Sequence, residues 1–479
     1  MKLYENVTRY TISIGSGKIP IDSQVSKQEQ KAQNKRRQKV LRGNVVGDNL
    51  YSGKWLHTTL LSLCEVYKKH WTPELEDDLC VLWYLSEEKE MVSYLVSHDF
   101  LTIAMNMLMI PGHPRLMIPD NPRLTEIILG IIDNLSNNEE IVDKIGCNRE
   151  LPPMILSYLK SNDSLILIQL LKILQSVVRK IRQDSQSYWV DHLTECYFFE
   201  ESMISILESS NYDLHVKKTA ISLLESMSHC HCTRMRYENS KISLLERFFR
   251  TDTLFHALLE SFTSFMPYVI RPGKKSHSQL TFVDHWLTML AAVMGCGSGL
   301  KFYYDYENDE TFRKLMEIIF TILKLYEDNE DNLYPVQQQS ANIICDAVCV
   351  LHVLRRDSMN VPVRIDRVVA ELIFSLETVS GKRLTEKKKM DPGGLRFKPI
   401  RCMFRYWLKI IELFTSEQIV EILSVCECKV REHLLCLSQS EMTPAMIDKV
   451  EKVTLIFLKN ARLKNLKKDD EPLCNTLKI

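Results

Sequence analysis

The feature that most limits what this chain can fold into is a stretch of apolar residues spaced for one wide helical stripe, recurring along the sequence. It is clearest in Asn121-Pro-Arg-Leu-Thr-Glu-Ile-Ile-Leu-Gly-Ile-Ile-Asp-Asn-Leu-Ser136. Leu124, Ile127, Ile128, Ile131, Ile132 and Leu135 fall at i, i+3, i+4, i+7, i+8 and i+11, which suits an α-helix and no strand. Asn121 is placed to cap the free backbone N–H groups, and Pro122 at the first helical position loses no hydrogen bond. Gly130 lies off the stripe's centre, so a close approach by a neighbouring helix is expected there. One such helix cannot bury its own stripe and must find partners.

The chain supplies them by repetition. Leu129–Ser136 aligns with Leu171–Val178 at an offset of 42 residues, and Leu170–Val178 aligns with Ala220–Ser228 at an offset of 50. Each long stripe follows a shorter apolar segment, Met154–Ser161 or Met203–Ser209, and an Asn/Asp-rich break, Asn162–Ser164 or Asn211–Asp213. Repeats of roughly 40–47 residues built from two or three helices follow the armadillo/HEAT pattern, in which each unit covers the stripe of the next. The expected fold is all-α, an α-solenoid of armadillo/HEAT-like helical repeats. Scarce glycine (15) and proline (16) argue against turn-rich β folds.

Four regions are expected: a basic extension at 1–47, armadillo-like repeats at 48–228, further helical repeats at 229–466 and a tail at 467–479. Helices are predicted after Tyr51–Leu56, after Thr72-Pro73, and over Met91–Ile110. Later ones are predicted at 242–249, 252–266, 280–294, 310–326, 335–355, 363–379, 401–437 with a break near Thr415, and 442–466. No β-rich region is predicted. Polar breaks at Arg271–Ser276 and Gly381–Arg396 read as surface loops.

Lysine plus arginine equals aspartate plus glutamate at 61 each, a balance that argues against a dedicated nucleic-acid binder. The start lacks an apolar core of signal-peptide length, and no charge-free run approaches the roughly 20 residues that span a bilayer. Fourteen cysteines without a secretory signal are expected as reduced thiols in cytosol or nucleus. No membrane partner is expected. Lys27–Arg42 holds seven basic residues against Glu29 alone. Its centre, with Lys35, Arg36, Arg37 and Lys39, reads either as a nuclear-import signal seen by an import receptor or as a solvated basic tail.

A family likeness is carried by residues in one order: Tyr51-Ser52 with Trp55-Leu56, then Leu75-Glu76 with Cys80 and Trp83, then Pro122-Arg-Leu-x-Glu-Ile with Gly130-Ile and Asn134. This series resembles the serum amyloid A-like (synoviocyte proliferation-associated) family. The match is densest from Val46 to Ser136 and thins to helix patterning by Ser228. The resemblance implies an armadillo-type fold, a largely nuclear location and a link to promoting proliferation, with no catalytic or ligand-binding residues to carry over. The chain departs from the family in its basic rather than acidic, Pro-rich start, in a shorter acidic linker before Trp83, and in the added Pro111–Asp120.

Chemistry-bearing motifs are few. His229-Cys-His-Cys232 has four ligand types in succession, but a tetrahedral zinc site draws pairs from separated segments, so the stretch is expected to be a frayed helix end. Cys426-Glu-Cys428 is not C-x-x-C, and Cys345 and Cys349 share one helical face as expected core residues. Gly15-Ser-Gly-Lys18 lacks the upstream glycine of a phosphate loop, and Gly295-Cys-Gly-Ser-Gly299 follows a helix rather than a strand. Glu87-Glu88, Glu139-Glu140 and Glu200-Glu201 read as solvated faces. No metal, cofactor or catalytic set is expected, and the chain reads as non-enzymatic.

For binding, Asn134 is the sharper candidate, since armadillo proteins that grip extended peptides use an asparagine on each long helix. The aligned positions here are Asn134, Ser176 and Ser226, with Gly130 where a partner tryptophan stands, so a ladder of amides is not expected. Arg179, Lys180 and Arg182 at one repeat's edge either contact an acidic partner or answer the helix dipole. The function expected from these readings is a protein-interaction scaffold or adaptor in the nucleus that supports proliferation. The alternatives are a carrier of basic peptides or an RNA-binding helical-repeat protein.

Overall fold

The computed structural model describes residues 53–66, 71–108, 121–209, 211–233, 241–271, 275–295, 310–327, 333, 336–356, 361–382, 395, 397–437 and 442–469. The basic run at Lys35, Arg36, Arg37 and Lys39, the Gly15–Lys18 stretch, Pro111–Asp120, the glycine turn beyond Gly295, most of 381–396 and the final ten residues lie outside them. The chain divides into two units, residues 1–103 and 104–479.

In the first unit, α1 (Gly53–Cys64) buries Trp55, Leu56, Thr59, Leu60 and Leu63. Helix α2 (Pro73–Leu85) starts as its sequence dictates, with Thr72 Oγ1 accepting from the Leu75 N–H at 3.3 Å. Trp55 Nε1 donates to Asp78 Oδ1 at 3.3 Å, and Tyr94 Oη donates to the Gly53 carbonyl at 3.3 Å. The predicted helix over 91–110 is instead two, α3 (Lys89–Ser97) and α4 (Phe100–Met107). Asp99 between them has φ 54°, a left-handed conformation that aspartate tolerates better than most residues. Its carbonyl then accepts from Thr102 and Ile103 and starts the second helix. Apolar spacing alone misses this break because the apolar residues continue across it.

In the second unit, α5 (Pro122–Leu135) buries the whole expected stripe, and Asn121 Oδ1 accepts from the N–H groups of Arg123 and Leu124 at 3.1 and 3.2 Å. Three-helix units follow, each ending in a long helix. The first is α6 (Glu139–Cys147), α7 (Leu151–Ser157) with a 3-10 turn at Tyr158–Lys160, and α8 (Ser164–Gln183). The second is α9 (Tyr188–Glu195), α10 (Phe199–Glu208) and α11 (Leu214–Ser228). The third is α12 (Leu244–Phe248), α13 (Thr251–Ile270) and α14 (His277–Gly295). The Asn/Asp-rich breaks have a local purpose: Asp163 caps α8 and Asp213 caps α11, as Asn121 caps α5.

Helices α15 (Glu310–Glu327), α16 (Gln338–Arg356), α17 (Val363–Lys382) and α18 (Phe397–Leu413) continue the stack. The predicted span 401–437 breaks twice. Thr415 and Gln418 form a capping box that starts α19 (Ser416–Ser424), and α20 (Cys428–Leu437) follows. Helix α21 (Pro444–Asp469) is last. Helix α13 runs past its predicted end at 266, through Pro267 on an exposed face, at the cost of one backbone bond.

Two rows result. The long helices α5, α8, α11, α14, α16 and α18 pack each on the next, while α10, α13, α15 and α17 form a second row behind them. Apolar stripes from both rows make the core, with Trp286, Phe262, Ile319, Leu351 and Trp407 almost wholly buried. Each unit therefore covers its neighbour's stripe, and this is an α-solenoid of armadillo/HEAT type.

One local correction concerns the end of α11. His231–Thr233 is no frayed helix end but a strand, β1, paired antiparallel with β2 (Lys241–Ser243), Cys232 opposite Ile242. A close approach to a glycine is found at Gly146 of α6, where an added Cβ would lie 2.8 Å from Trp189 Cδ1.

Candidate interaction surface

The residues of interest lie where consecutive long helices meet, and every junction of that row carries a polar stitch. Lys172 on α8 pairs with Asp133 on α5 at 3.9 Å. Gln175 Nε2 donates to the Thr219 carbonyl of α11 at 3.3 Å. Between α11 and α14, Lys218 Nζ donates to Ser278 Oγ at 2.7 Å, and His285 Nδ1 lies 2.5 Å from Glu225 Oε2. Gln339 Nε2 on α16 donates to Thr281 Oγ1 of α14 at 2.9 Å, and Lys398 Nζ on α18 donates to Asn342 Oδ1 of α16 at 2.9 Å. The stitches lie along the seams where consecutive long helices pack on one another.

The second row is stitched differently, by ion pairs of one polarity. Glu200 of α10 pairs with Arg250 at the N-cap of α13, 3.7 Å apart. Glu260 of α13 pairs with Lys314 of α15, Glu317 of α15 with Arg364 of α17, and Glu377 of α17 with His433 of α20. In each case the earlier helix gives the carboxylate and the later one the basic side chain. These partly exposed pairs contribute roughly 0–1 kcal/mol apiece, so they set register more than stability. A 660 Å³ depression between α10 and α13 includes Tyr197, Glu200, Arg250 and Thr253. Its carboxylate Glu200 is engaged, accepting from the Arg250 N–H at 2.8 Å.

On the long-helix row, the carboxyls of α14 and α16 are shifted by burial. Burial raises the Asp284 carboxyl to about 6, and the neighbouring Asp346 carboxylate adds to the shift. Burial also raises Asp346, against Lys398 and a hydrogen bond from Thr288. The Glu225 hydrogen bond holds the His285 imidazole above its ordinary value. A carboxyl whose folded pKa is raised from 3.8 to about 6 contributes stability that is full below pH 4 and lost as the pH rises through 6. Replacing Asp284 by asparagine should therefore stabilise the protein at pH 7.5, by roughly 1 kcal/mol after allowance for its partial solvation. The gain should disappear by about pH 4. Denaturant titrations of both proteins across that range check this, and a pH-independent difference contradicts it.

The sequence candidates are placed as follows. Asn134, Ser176 and Ser226 do fall on three consecutive helices of the row. Ser226 Oγ donates to the Ser222 carbonyl at 2.9 Å, and Ser176 Oγ accepts from Arg179 Nη2 at 2.7 Å. Asn134 is half-buried near the end of α5. Arg179 also reaches Asn137 Oδ1 at 3.4 Å, bridging α8 to the turn after α5. Lys180 points elsewhere, to Asp143 of α6 at 2.6 Å, and that hydrogen bond raises its ammonium pKa. Arg182 is exposed. In the His229–Cys232 stretch, His229 is exposed 4.0 Å from Glu225, and the Cys230 thiol is buried and donates to the Val178 carbonyl.

Sequence reasoning passed over Asp284, His285, Asp346, Lys398 and Cys402, because which residues face each other depends on inter-helix register. It also placed Cys349 in the core. Cys345 is buried, but Cys349 one turn later is exposed, at the edge of the stripe where the helix faces its neighbour α18.

The two stacked rows define the class: a helical-repeat protein. No family model matches the chain. Among curated proteins it is similar to Protein saal1 of Danio rerio, 26% identical over 185 residues that cover 36% of this chain and 37% of that protein. It is also similar to Protein SAAL1 of Homo sapiens, 25% identical over 193 residues, 37% of this chain and 39% of that one. The chain thus spans well under half the length of these relatives, whose name denotes serum amyloid A-like 1. Among solved structures, the designed armadillo repeat protein YIII(Dq)4CqI superposes with a TM-score of 0.37 at 11% identity, covering 61% of this chain and 99% of that one. So loose a superposition adds nothing to the fold assignment, which the helix rows define. Among the described residues no helix is long and apolar enough to cross a membrane.

Proposed function

We propose that the protein is a non-enzymatic interaction scaffold that binds another protein along its long-helix face, acting in the nucleus in support of proliferation. One observation carries the scaffold reading. The six long helices α5, α8, α11, α14, α16 and α18 pack in one continuous row, with polar side chains at every junction. Such a face recognises a partner by many spaced contacts and needs no cofactor. The nuclear and proliferative parts draw on the likeness to the serum amyloid A-like family and on the basic run at Lys35–Lys39.

Proximity labelling in cells tests the binding face, comparing the full chain with a Lys172→Glu/Arg179→Glu variant and with a Lys314→Glu variant on the second row. The expected result is a reproducible partner set lost in the first variant and kept in the second. An unchanged set in both, or no reproducible set at all, removes the reading. Import is tested apart, with residues 20–47 fused to an inert reporter: nuclear accumulation supports it and cytoplasmic retention removes it.

A further inference from the structure

Three thiols meet where α16 packs on α18. Cys345 and Cys349 lie one turn apart on α16, and Cys402 enters from α18. Cys349 Sγ is 3.7 Å from Cys402 Sγ, and Cys402 Sγ donates to the Cys345 carbonyl at 3.5 Å. All three are free thiols, graded from buried Cys345 through half-buried Cys402 to exposed Cys349. Lys398, one turn before Cys402 on α18, sits close enough to act on Cys345 and Cys349 electrostatically.

We propose that Cys349 and Cys402 form a reversible disulfide that joins α16 to α18 when the protein meets a low-molecular-weight disulfide such as oxidised glutathione. The sulfur atoms have to close from 3.7 Å to the roughly 2.0 Å of a disulfide. Access sets the order of events. The exposed Cys349, as thiolate, attacks one sulfur of oxidised glutathione, forming a mixed disulfide and expelling one glutathione thiolate. Cys402, losing its proton, then attacks the Cys349 sulfur and expels the second glutathione. Two protein thiols have given up two electrons and two protons, and one glutathione disulfide has become two glutathione thiols.

The three thiols differ in acidity. A hydrogen bond from Cys402 holds the Cys345 thiol below its ordinary value. The Cys402 proton is held above its ordinary value by Cys345 and by burial, and the Cys349 proton by Cys402 and by burial, so the bridge depends on oxidant. The resulting weld lies on the long-helix face, next to Lys398 and Asp346.

The full chain, reduced and then equilibrated in glutathione buffers of rising oxidised fraction, is acid-quenched, alkylated and peptide-mapped. Exposed Cys147 and Cys428 serve as internal controls. The expected result is a Cys349–Cys402 cross-linked peptide, reversed by dithiothreitol. Glutathione adduct on Cys349 should be about tenfold scarcer than on the controls, because the adjacent thiol displaces it intramolecularly. In a Cys402→Ser variant the adduct on Cys349 should rise to control level, and a Cys345→Ser variant should still form the bridge. A persistent adduct on Cys349 beside a free Cys402 in the unaltered chain, or a bridge that runs through Cys345, would overturn the proposal.

Discussion

Replacing Arg355 by alanine is expected to cost about 3–5 kcal/mol of stability, among the largest effects of any single substitution in the protein. Arg355 ends α16, Asp366 lies in the first turn of α17 and Tyr406 sits in the middle of α18, so three helices converge on one buried charge. Arg355 and Asp366 are 3% and 0% exposed and pair directly. Tyr406 Oη donates to Asp366 Oδ1 at 2.6 Å, Arg355 Nη2 donates to the Val361 carbonyl at 2.8 Å, and the guanidinium lies 4.6 Å from the centre of the Phe414 ring. Burial raises the Asp366 carboxyl to about 6, even against Arg355 and Tyr406.

Without the arginine, that carboxylate is a lone charge in the core. The loss should therefore be greater at pH 8 than at pH 5, where a proton neutralises it. Hydrogen exchange of peptides from α16, α17 and α18, with far-ultraviolet circular dichroism melts, reads the effect. A triple change, Arg355→Met with Asp366→Leu and Tyr406→Phe, should recover most of the stability, because apolar residues of similar volume remove the charge together with its need for a partner. A melt of the single variant unchanged at pH 8 would show that the three groups do not hold those helices.

A second large loss is expected from Trp189→Ala, about 3–5 kcal/mol. Trp189, on α9, is fully buried against α6, where its Nε1 donates to the Val142 carbonyl at 2.9 Å. The fit depends on a missing side chain: Gly146 of α6 leaves room that a Cβ would fill 2.8 and 2.9 Å from the indole Cδ1 and Nε1. His192 Nε2, one turn on, donates to the Gly146 carbonyl at 2.9 Å. Gly146→Ala should accordingly cost about 1–3 kcal/mol by overpacking, despite alanine's better helix propensity. Pairing it with Trp189→Phe should give a loss smaller than the sum of the two, since the smaller ring vacates that space. Chemical denaturation of the four proteins checks the cycle, and strict additivity would contradict the proposed collision.

The sequence made the helices legible more than their encounters. The stripe of α5, its Asn121 cap and the repeated rhythm of short and long segments follow from spacing and capping chemistry, which are local. Asp99 broke an expected helix because its left-handed backbone leaves no mark on apolar periodicity. The strand pair at His231–Ser243 escaped notice because three-residue strands carry no readable alternation. Gly146 and Trp189 are 43 positions apart in the chain, and Cys349 and Cys402 are 53 apart, so nothing in either neighbourhood announces its partner. Register between repeats is a property of the stack, and with it go the polar stitches and the charged cluster around Asp284.

The one-way order of the ion pairs behind the long helices has a consequence for how such a chain can change in length. Every joint there offers an acid on its leading side and a base on its trailing side, from Glu200–Arg250 to Glu377–His433. Copying or deleting one whole segment would still set opposite signs face to face at the new joint. Growth or shrinkage by complete segments is thus electrostatically silent along this edge, whereas inverting a segment would bring like charges together at both of its ends.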